Sequence, residues 1–511
     1  MPASESNCIT SREMRALESN AEYCGISLLQ LMENAGHNVA TEIIARFGTD
    51  KEIVIFCGLG GNGGDGFVIA RHLLSAGFKV AVVLAGRGKE IAHNAAMKNF
   101  TVLKALTDIP IYEVFDSSSI PKIQADVIVD ALLGTGTKGR LRPPMTQLIE
   151  YINSMSGFRI AVDVPTGIDA DTGEILGLAV KADLTVTFHK PKIGFMNAKK
   201  YTGQLIVNDI GLPKQLEEFV GPGDVLLVAK TRDLSSHKGD FGRILCIGGN
   251  EVFTGAPSLV AMAALRTGVD IVYLAAPAKT ATVISSMSPD LITIKLDGNH
   301  LKPSNIDTLK PYIEAVDAVV LGPGLGLHPE TKEFLSSFIA VIESFKKPLL
   351  LDADGLKAFS EFKRPLKVPA ILTPHAGEYT TLTGQKLPSN IGERVRMVQK
   401  TATELNTVIL VKGKVDLICS EKRFKLNFTG NPGMTVGGTG DVLSGVVGAL
   451  LAQKNDAFEA AVAGAFVNGA AGDFVANEVG FHMLASDLFK YIPQVLNDPM
   501  RHLQVRKQSG T

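Results

Sequence analysis

The fold of this chain is decided by residues 52–86, which read EIVIFCGLGGNGGDGFVIARHLLSAGFKVAVVLAG. Apolar runs at both ends predict two buried β-strands, and the segment after the glycines has the spacing of an amphipathic helix. A strand, a helix and a second strand in this order form a βαβ unit, in which the strands are parallel and the crossover is right-handed. The stretch therefore predicts an α/β domain around a parallel sheet.

Further helices and strands on both sides extend this domain. A helix is expected to begin at Thr10, because Thr10 and Glu13 have the spacing of a capping box, and a second helix follows over Leu28–Phe47. Buried strands that end in polar or glycine-rich turns are predicted at Val127–Leu133, Ile160–Val164 and Leu184–Phe188. Open α/β sheets bind their ligands at such strand ends.

A second α/β series begins after a break in the pattern. Residues 211–239 contain Pro213, Pro222 and a polar stretch, and a new strand follows Gly242. Later segments predict a helical stretch over Gly438–Asn477 and strands at Ile271–Ala276, Ala318–Gly322, Leu349–Asp352, Ala370–Thr373 and Thr407–Val411. We therefore predict two α/β domains, at residues 10–215 and 225–500.

Composition limits the partners of the chain. Its 511 residues carry 51 Lys and Arg against 52 Asp and Glu, and this balance gives no electrostatic case for nucleic acid or an anionic membrane. The apolar runs are shorter than the ~20 residues of a membrane span, and residues 1–20 lack the apolar core of a signal peptide. Five scattered cysteines are typical of reduced thiols. We expect a cytoplasmic homo-oligomer that acts on small molecules.

The loop after the first strand has the GxGxxG spacing of a dinucleotide-binding motif, at Gly58, Gly60 and Gly63. Dinucleotide-binding dehydrogenases also carry an acidic residue at the end of the second strand. Here that strand ends without a carboxylate, although Arg87 could accept a 2′-phosphate. Asp65 lies within the loop and would repel an anionic ligand. It therefore either acts beside a cation or caps the following helix, and the residues alone leave both interpretations open.

Side-chain oxygens at three strand ends indicate a cation site. Asn62, Asp130 and Thr166 offer amide, carboxylate and hydroxyl or carbonyl oxygens, which suit a hard cation. The alternative is that they are ordinary turn and cap residues. The loop Gly134–Arg140 would suit a phosphate, with Lys138 and Arg140 as countercharges.

Four segments together resemble the NAD(P)H-hydrate epimerase family, also called the YjeF N-terminal domain: residues 60–66 (GGNGGDG), 130–136 (DALLGTG), 162–169 (VDVPTGID) and 188–194 (FHKPKIG). The resemblance covers about Arg12–Leu212. It implies a Rossmann-like three-layer fold, a bound potassium ion, and interconversion of the R and S hydrates at C6 of damaged NADH or NADPH. One departure is Gly61, where the family usually has Asn.

The same resemblance implies roles for individual residues. The potassium ligands would be Asn62, Asp130 and Thr166. The hydrated substrate would contact Gly61, Asn62, Gly63, Gly64, Asp65, Gly134, Thr135, Gly136, Thr137, Lys138, Gly139, Arg140 and Asp163. Because epimerisation of a carbon that carries a hydroxyl beside a ring nitrogen needs proton transfer, we expect Asp163 to be the acid/base, with Lys192 as its electrostatic partner.

The most informative segment of the second half is residues 431–445, NPGMTVGGTGDVLSG. Gly437, Gly438 and Gly440 precede a predicted helix, so their N–H groups and the helix dipole would form an anion site. Asp441 follows in the first turn, where it could accept a hydroxyl proton during phosphoryl transfer. The alternative is a glycine-rich helix start in which Asp441 only complements the dipole. A P-loop is excluded because no Lys-Ser/Thr pair follows the glycines.

Other strand ends would complete one crevice. Lys412 and Lys414 end one strand and could neutralise a nucleotide or be merely solvated, and His375 could be a ligand or a structural residue. Further strand-end residues are Glu378, Asp352, Asp354 and residues 322–326 (GPGLG).

This set resembles the ribokinase-like superfamily and, within it, the ADP- or ATP-dependent NAD(P)H-hydrate dehydratases, over about Leu226–Leu496. The resemblance implies that a nucleotide phosphate activates the C6 hydroxyl of the S hydrate before elimination, with magnesium neutralising the phosphates; it favours ADP. The hydrate would face Ala256, Gly326, His375 and Asp441. The nucleotide would face Lys412, Gly413, Lys414, Val415, Asp416, Gly437, Gly438, Thr439 and Gly440. Departures from the family pattern are Gly355, Ala376 and Asp416.

Three functions are therefore compared. The first is a bifunctional repair enzyme, an isomerase and a lyase, in which epimerisation feeds the only isomer that the dehydratase accepts. The second is a vitamin or sugar kinase fused to a regulatory NADP-binding module, which the missing ribose-binding carboxylate disfavours. The third is a non-enzymatic interaction protein, which the intact glycine turn before Asp441 disfavours.

Overall fold

A computed structural model describes residues 8–106 and 109–508. The chain divides into two compact units between Pro213 and Lys214. No helix in the described part of the chain is long and apolar enough to cross a membrane. The fold class predicted from the sequence, a Rossmann-like α/β unit followed by a second α/β unit, is confirmed. The exact bounds 10–215 and 225–500 remain predictions for the functional domains.

The first unit alternates helices with seven strands. In chain order its elements are α1 (Ser11–Tyr23), α2 (Leu28–Arg46), β1 (Glu52–Cys57), α3 (Gly61–Ser75), β2 (Lys79–Ala85), α4 (Asn94–Ala105), β3 (Ile111–Val114), β4 (Val127–Ala131), α5 (Met145–Ser154), β5 (Phe158–Val162), β6 (Leu184–Phe188), α6 (Lys199–Thr202) and β7 (Gln204–Asn208). The sheet order is β3-β2-β1-β4-β5-β6-β7, and all pairs are parallel.

Helices cover both faces of this sheet. On one face, Phe56 and Ile128 belong to a buried cluster that includes Leu148 of α5. On the other face, α3 approaches so closely that a Cβ at Gly66 would lie 2.5 Å from the sulfur of Cys57. The strand order reverses between β1 and β4, and this switch point places a crevice at their carboxyl ends.

The sequence predicted the central strands and the first helix well. Thr10 caps α1 through a reciprocal capping box with Glu13, as expected. The interpretation of Asp65 as a helix cap is wrong, because α3 already begins at Gly61 behind Gly60. The edge strands β3 and β7 were not predicted, since β3 has four residues that include Glu113, and β7 has only three apolar residues between polar ones and is largely exposed.

The second unit is built around a nine-stranded sheet. Its elements are α7 (Gln215–Glu218), α8 (Pro222–Val228), β8 (Arg243–Ile247), α9 (Gly255–Thr267), β9 (Ile271–Pro277), α10 (Ala278–Ser285), β10 (Ile292–Leu296), α11 (Ile306–Ala315), β11 (Ala318–Leu321), α12 (Pro329–Ser344), β12 (Leu349–Leu351), α13 (Asp354–Phe359), β13 (Ala370–Leu372), α14 (Ala376–Thr383), α15 (Ile391–Leu405), β14 (Val408–Val411), β15 (Asp416–Cys419), β16 (Phe424–Asn427), α16 (Thr439–Ala452), α17 (Ala457–Val479), α18 (Ile492–Asn497) and α19 (His502–Gln508).

The strand order of this sheet is β10-β9-β8-β11-β12-β13-β14-β15-β16. The pairs β14–β15 and β15–β16 are antiparallel, and the others are parallel. The predicted helical stretch Gly438–Asn477 is two helices, α16 and α17, interrupted at residues 453–456. The start of the unit includes α8, because Lys425 of β16 donates to Asp224 at 2.6 Å and to the carbonyl oxygen of Phe219 at 3.2 Å.

Two glycines of α16 fix this helix against its neighbours. A Cβ at Gly445 would lie 2.3 Å from the carbonyl oxygen of Val260 in α9, and a Cβ at Gly448 would lie 2.3 Å from Val320 of β11. Both distances are shorter than any ordinary contact, so only glycine permits this approach. The packing holds the first turn of α16 at the carboxyl edge of the sheet.

Gly445→Ala is therefore expected to destabilise the second unit by about 1–3 kcal/mol, since the added methyl group overlaps backbone atoms that cannot move freely. Urea unfolding followed by circular dichroism measures the change. Gly255→Ala is the matched control, because a Cβ at Gly255 would contact nothing within 4 Å. Equal unfolding midpoints for both variants would contradict this account of the α9–α16 packing.

Candidate active sites

The first site lies at the carboxyl ends of β1, β4, β5 and β6. Two glycines bring its loops together: a Cβ at Gly58 would lie 1.9 Å from the carbonyl oxygen of Leu132, and one at Gly63 would lie 1.9 Å from that of Gly58. At Gly60 and Gly136, by contrast, a Cβ would meet nothing within 4 Å, and neither residue has a positive φ. Packing within the chain therefore does not require glycine at these two positions, and both leave open space for a ligand.

Asp130 is a fully buried carboxylate at the end of β4. It accepts hydrogen bonds from the backbone N–H of Thr166 at 2.8 Å and from the Thr166 hydroxyl at 2.6 Å. Burial raises the pKa of Asp130 to about 6, although the bonds from Thr166 oppose this rise. Among the described residues no cationic side chain contributes to its pKa. A buried carboxylate without a countercharge is a site that a cation would stabilise.

Asn62 lies against the loop that follows β4. A Cβ at Gly134 would be 3.5 Å from the Asn62 amide oxygen, and the neighbouring Leu133 N–H donates to Thr166 at 3.0 Å. The Asn62 amide nitrogen is buried and has no hydrogen-bond partner within the described chain. Because the two ends of an amide are assigned from their surroundings, the unpartnered end can equally be the oxygen. The amide, carboxylate and hydroxyl oxygens thus form a donor set that fits a hard cation.

Asp163 and Lys192 form a buried ion pair, as the sequence predicted. The Lys192 ammonium lies 2.7 Å from an Asp163 oxygen, and its side chain is only 1% exposed. Thr187 connects the two, accepting from Lys192 at 2.9 Å and donating to Asp163 at 3.0 Å. Asp163 also has a φ of 62°, an unfavourable backbone conformation that tends to occur at functional sites.

Glu18 of α1 is a member of this site that sequence reasoning missed. Burial first, and then the charge of Asp163, raise the pKa of Glu18 to about 7. Burial, Asp163 and Glu18 likewise raise the pKa of Asp65. Three carboxyl groups therefore share one region, where the charges of Lys192 and Arg15 partly oppose the rise of the Glu18 pKa. No local pattern marks Glu18, since it is brought to the sheet by the packing of a helix that precedes β1.

The remaining predicted residues of this site lie on two segments. Gly61, Gly63 and Gly64 form the first turn of α3 with Asn62. Lys138, a predicted phosphate countercharge, already pairs with Asp169 at 3.0 Å and Asp171 at 2.9 Å. The other members of its loop are Thr135, Gly136, Thr137, Gly139 and Arg140, all on the connection between β4 and α5.

The second site lies where the first turn of α16 meets the carboxyl ends of β12 and β14. Gly438 caps α16 with a φ of 101°, and a Cβ there would lie 2.6 Å from Leu259. Thr439 and Gly440 follow inside the helix. The first N–H groups of a helix have no partner within it, so this turn presents donors and a positive dipole end to an anion.

Lys412 pairs with two carboxylates at this turn. Its ammonium donates to Asp352 at 2.8 Å and lies 3.7 Å from Glu378. A Cβ at Gly440 would be 3.5 Å from the same ammonium nitrogen, so the cation lies beside the start of α16. Burial lowers the pKa of Lys412, but Asp352, Glu378 and Asp441 outweigh that effect and raise it.

Asp441 is the carboxyl group best suited to accept a proton here. Burial raises its pKa to about 7, and the charges of Asp352, Glu378 and Asp354 add to the rise, whereas Lys412 opposes it. A base with a pKa near neutrality is efficient at physiological pH. The role of Asp441 as the base stays a prediction, and this environment is compatible with it.

The other predicted hydrate-binding residues lie at the starts of α9 and α14 and in the loop after β11. Gly326 donates its N–H to Asp354 at 2.9 Å, and a Cβ at Gly324 would lie 3.4 Å from Ala256. The backbone of His375 forms an isolated parallel β-bridge with that of Lys412. The His375 ring caps α14 by accepting hydrogen bonds from the N–H groups of residues 377 and 378. The ring remains 57% exposed, so the cap explains its orientation but leaves one edge open.

The predicted nucleotide-binding residues 412–416 form the turn between β14 and β15. Asp416 accepts from Gly413 at 3.0 Å and from Asn427 at 3.0 Å, and burial raises its pKa to about 6. Its carboxylate therefore closes the hairpin. Gly413 and Lys414 are exposed at the tip, with Val415 partly covered.

Comparison with known proteins agrees with this division. Residues 244–494 match the sequence family described as NAD(P)H-hydrate dehydratase, and residues 28–194 match the YjeF-related protein N-terminus. The bifunctional NAD(P)H-hydrate repair enzyme of Pyrobaculum aerophilum is 44% identical over 96% of this chain and 98% of its own length. That of Hyperthermus butylicus is 42% identical over 96% of this chain and 93% of its own.

Among solved structures, an ADP/ATP-dependent NAD(P)H-hydrate dehydratase from Bacillus subtilis, co-crystallised with ATP and Mg²⁺, is 26% identical with a TM-score of 0.46 and covers 54% of this chain and 98% of that one. The relatives do not favour a vitamin or sugar kinase. Because these relatives are 42–44% identical to the chain over nearly its full length, the chain belongs to the family of bifunctional NAD(P)H-hydrate repair enzymes.

Proposed function

We propose that the chain restores NADH and NADPH from their hydrates in two steps. The first unit interconverts the R and S epimers, and the second unit dehydrates the S epimer at the expense of ADP or ATP. The observation that carries the proposal is the setting of Asp441. This residue has a pKa of about 7 and lies in the first turn of α16, where the N–H groups suit a phosphate.

In the second site, the N–H groups at the start of α16 would hold the transferring phosphoryl group, and Lys412 would neutralise part of its charge. Asp441 accepts the proton of the C6 hydroxyl as that oxygen attacks the terminal phosphorus of the nucleotide, and the bond to the remaining nucleotide breaks, releasing AMP from ADP or ADP from ATP. Phosphate then leaves C6 together with a proton from C5, and the ring double bond is restored. Water must be kept from the phosphoryl group during this transfer.

Magnesium suits the charge balance of this site. Asp354, Glu378 and Asp441 add three carboxyl groups to the Asp352–Lys412 pair, and an incoming polyphosphate adds further negative charge. We propose that Glu378 faces the ion. When bound, magnesium neutralises phosphate oxygens that would otherwise repel these carboxylates.

In the first site, Asp163 would move a proton at the C6 hydroxyl or the ring nitrogen, and Lys192 would hold its carboxylate in place. Glu18 and Asp65, with their raised pKa values, could carry that proton further. The substrate would contact the open side of Gly60 and Gly136 and the loop of residues 134–140. Potassium is proposed at Asn62, Asp130 and Thr166.

One assay tests the whole proposal. NADHX generated by heat or acid is supplied with ADP or ATP, and recovery of NADH is followed at 340 nm. Recovery of both epimers supports the two-step function. Recovery of NADH from one epimer alone would refute the assignment of an epimerase to the first unit. Absence of turnover together with phosphorylation of a vitamin alcohol would replace the proposal with a kinase.

Potassium is expected to stabilise the first unit, because a cation beside Asp130 relieves the cost of burying its charge. Thermal unfolding in KCl is compared with choline chloride at equal ionic strength. Each kcal/mol of binding free energy raises the melting temperature by about 2–4 °C. Asp130→Asn should lose the difference, whereas Glu150→Gln, an exposed carboxylate of α5, should keep it. Equal melting temperatures of the unmodified chain in both salts would refute the potassium site.

A further inference from the structure

Asp352 connects two parts of the second site without being accessible itself. It follows β12 and is 1% exposed. One of its carboxylate oxygens accepts from the Lys412 ammonium at 2.8 Å, and the other accepts from the Ser444 hydroxyl at 2.6 Å. Lys412 follows β14, and Ser444 is one turn beyond Asp441 on α16. A single carboxylate therefore joins the cationic strand end to the helix that carries the base.

We propose that Asp352 is the positioning residue of the dehydratase site, holding Lys412 against the first turn of α16 and holding that helix through Ser444. The proposal rests on the dehydratase function given above. Since Asp352 is buried, it cannot touch the hydrate or the nucleotide and acts only through its two neighbours.

A purely structural role explains less of this arrangement. Replacing a buried ion pair by apolar residues is often neutral or stabilising, so stability alone is a weak reason for a charge here. The ammonium of Lys412 lies 3.5 Å from the position of a Cβ at Gly440, beside the N–H groups proposed to bind phosphate. Asp352 therefore holds the long, flexible side chain of Lys412 where the ammonium would neutralise a bound phosphate. Positioning of this kind strongly affects rate, because a displacement of about 1 Å can cost about 10²-fold.

Asp352 also acts on Asp441 through its charge. The charged groups that face Asp441 are Asp352 beyond β12, Lys412 beyond β14, Glu378 on α14 and Asp354 on α13. The three carboxylates favour the protonated form of Asp441, and Lys412 favours the ionised form. Removing the charge of Asp352 should therefore lower the pKa of Asp441 and make it a weaker base that ionises at lower pH.

Asp352→Asn tests both effects in the full-length chain. We expect kcat for dehydration to fall by about 10²-fold, the dissociation constant for ADP in calorimetry to rise by about 10-fold, and the acid limb of the pH profile of kcat/KM to move to lower pH. Ser444→Ala is the matched control, because it removes one hydrogen bond but keeps the charge. It should lower kcat less and leave the acid limb in place.

Urea unfolding followed by circular dichroism reports whether the second unit of each variant is folded, and an unchanged epimerisation rate shows that the first unit is unaffected. An Asp352→Asn chain with the acid limb and the ADP affinity of the unmodified chain would overturn the proposal. Failure of the dehydratase function itself gives a different result, because the unmodified chain would then not recover NADH at all.

Discussion

Asp441→Asn is expected to lower the rate of NADHX dehydration by about 10²-fold or more, as loss of a general base usually does. The amide has the same shape as the carboxylate but cannot take the hydroxyl proton, so the turn of α16 should remain formed. Epimerisation should continue at its normal rate. The two rates are measured separately, by absorbance at 340 nm and by chromatographic separation of the epimers.

The pH dependence of the unmodified chain gives a second measure of the same residue. Because the pKa of Asp441 is about 7, its basic form is lost as the pH falls through 7. Dehydration should therefore decline on the acid side of neutrality. Glu421→Gln, which changes an exposed carboxylate in the turn between β15 and β16, should leave rate and profile unchanged. A fully active Asp441→Asn chain would exclude this residue as the base.

Asp163→Asn is expected to lower epimerisation by about 10²-fold or more while the S hydrate is still dehydrated. The R hydrate should then accumulate in a mixture from which the S hydrate disappears. This pattern arises because the substitution removes the proposed acid/base of the first site and touches nothing in the second. Chromatography of the remaining hydrate after exhaustive dehydration measures it.

Stability must be separated from chemistry in this variant. Removing Asp163 leaves the Lys192 ammonium buried without its partner, which can cost about 3–5 kcal/mol. The double variant Asp163→Asn with Lys192→Met removes both charges and should recover the thermal stability but not the epimerisation. Recovery of epimerisation in the double variant would show that Asp163 acts only on the fold.

The strand ends could be predicted from the sequence because each follows a short apolar run. Asp163 and Lys192 follow β5 and β6, which are adjacent and parallel, so their pairing agrees with the general rule for α/β sheets. The ion-pair partner of Lys412, by contrast, could be identified only from the structure. Asp352 and Lys412 were both recognised as strand-end residues, but β12 and β14 are separated by β13, and only the geometry reveals their ion pair.

Other features left no local trace in the sequence. Glu18 reaches the first site through the packing of α1, and amphipathic spacing does not show what a helix packs against. Asp65 has the residue type of a helix cap, but the glycines before it already adopt helical geometry, so the helix begins earlier. The largely exposed edge strands β3 and β7 carry at most three apolar residues in a row, which is too weak a pattern to mark a strand against its polar surroundings.

The antiparallel hairpin of β14 and β15 has a consequence for engineering. Its tip, residues 413–415, is largely solvent-facing, whereas the proposed base belongs to a helix locked into the core by Gly445 and Gly448. Surface turns tolerate replacement far better than packed helices. Libraries confined to those three tip positions could therefore select for a different phosphate donor while the proton-transfer machinery stays intact.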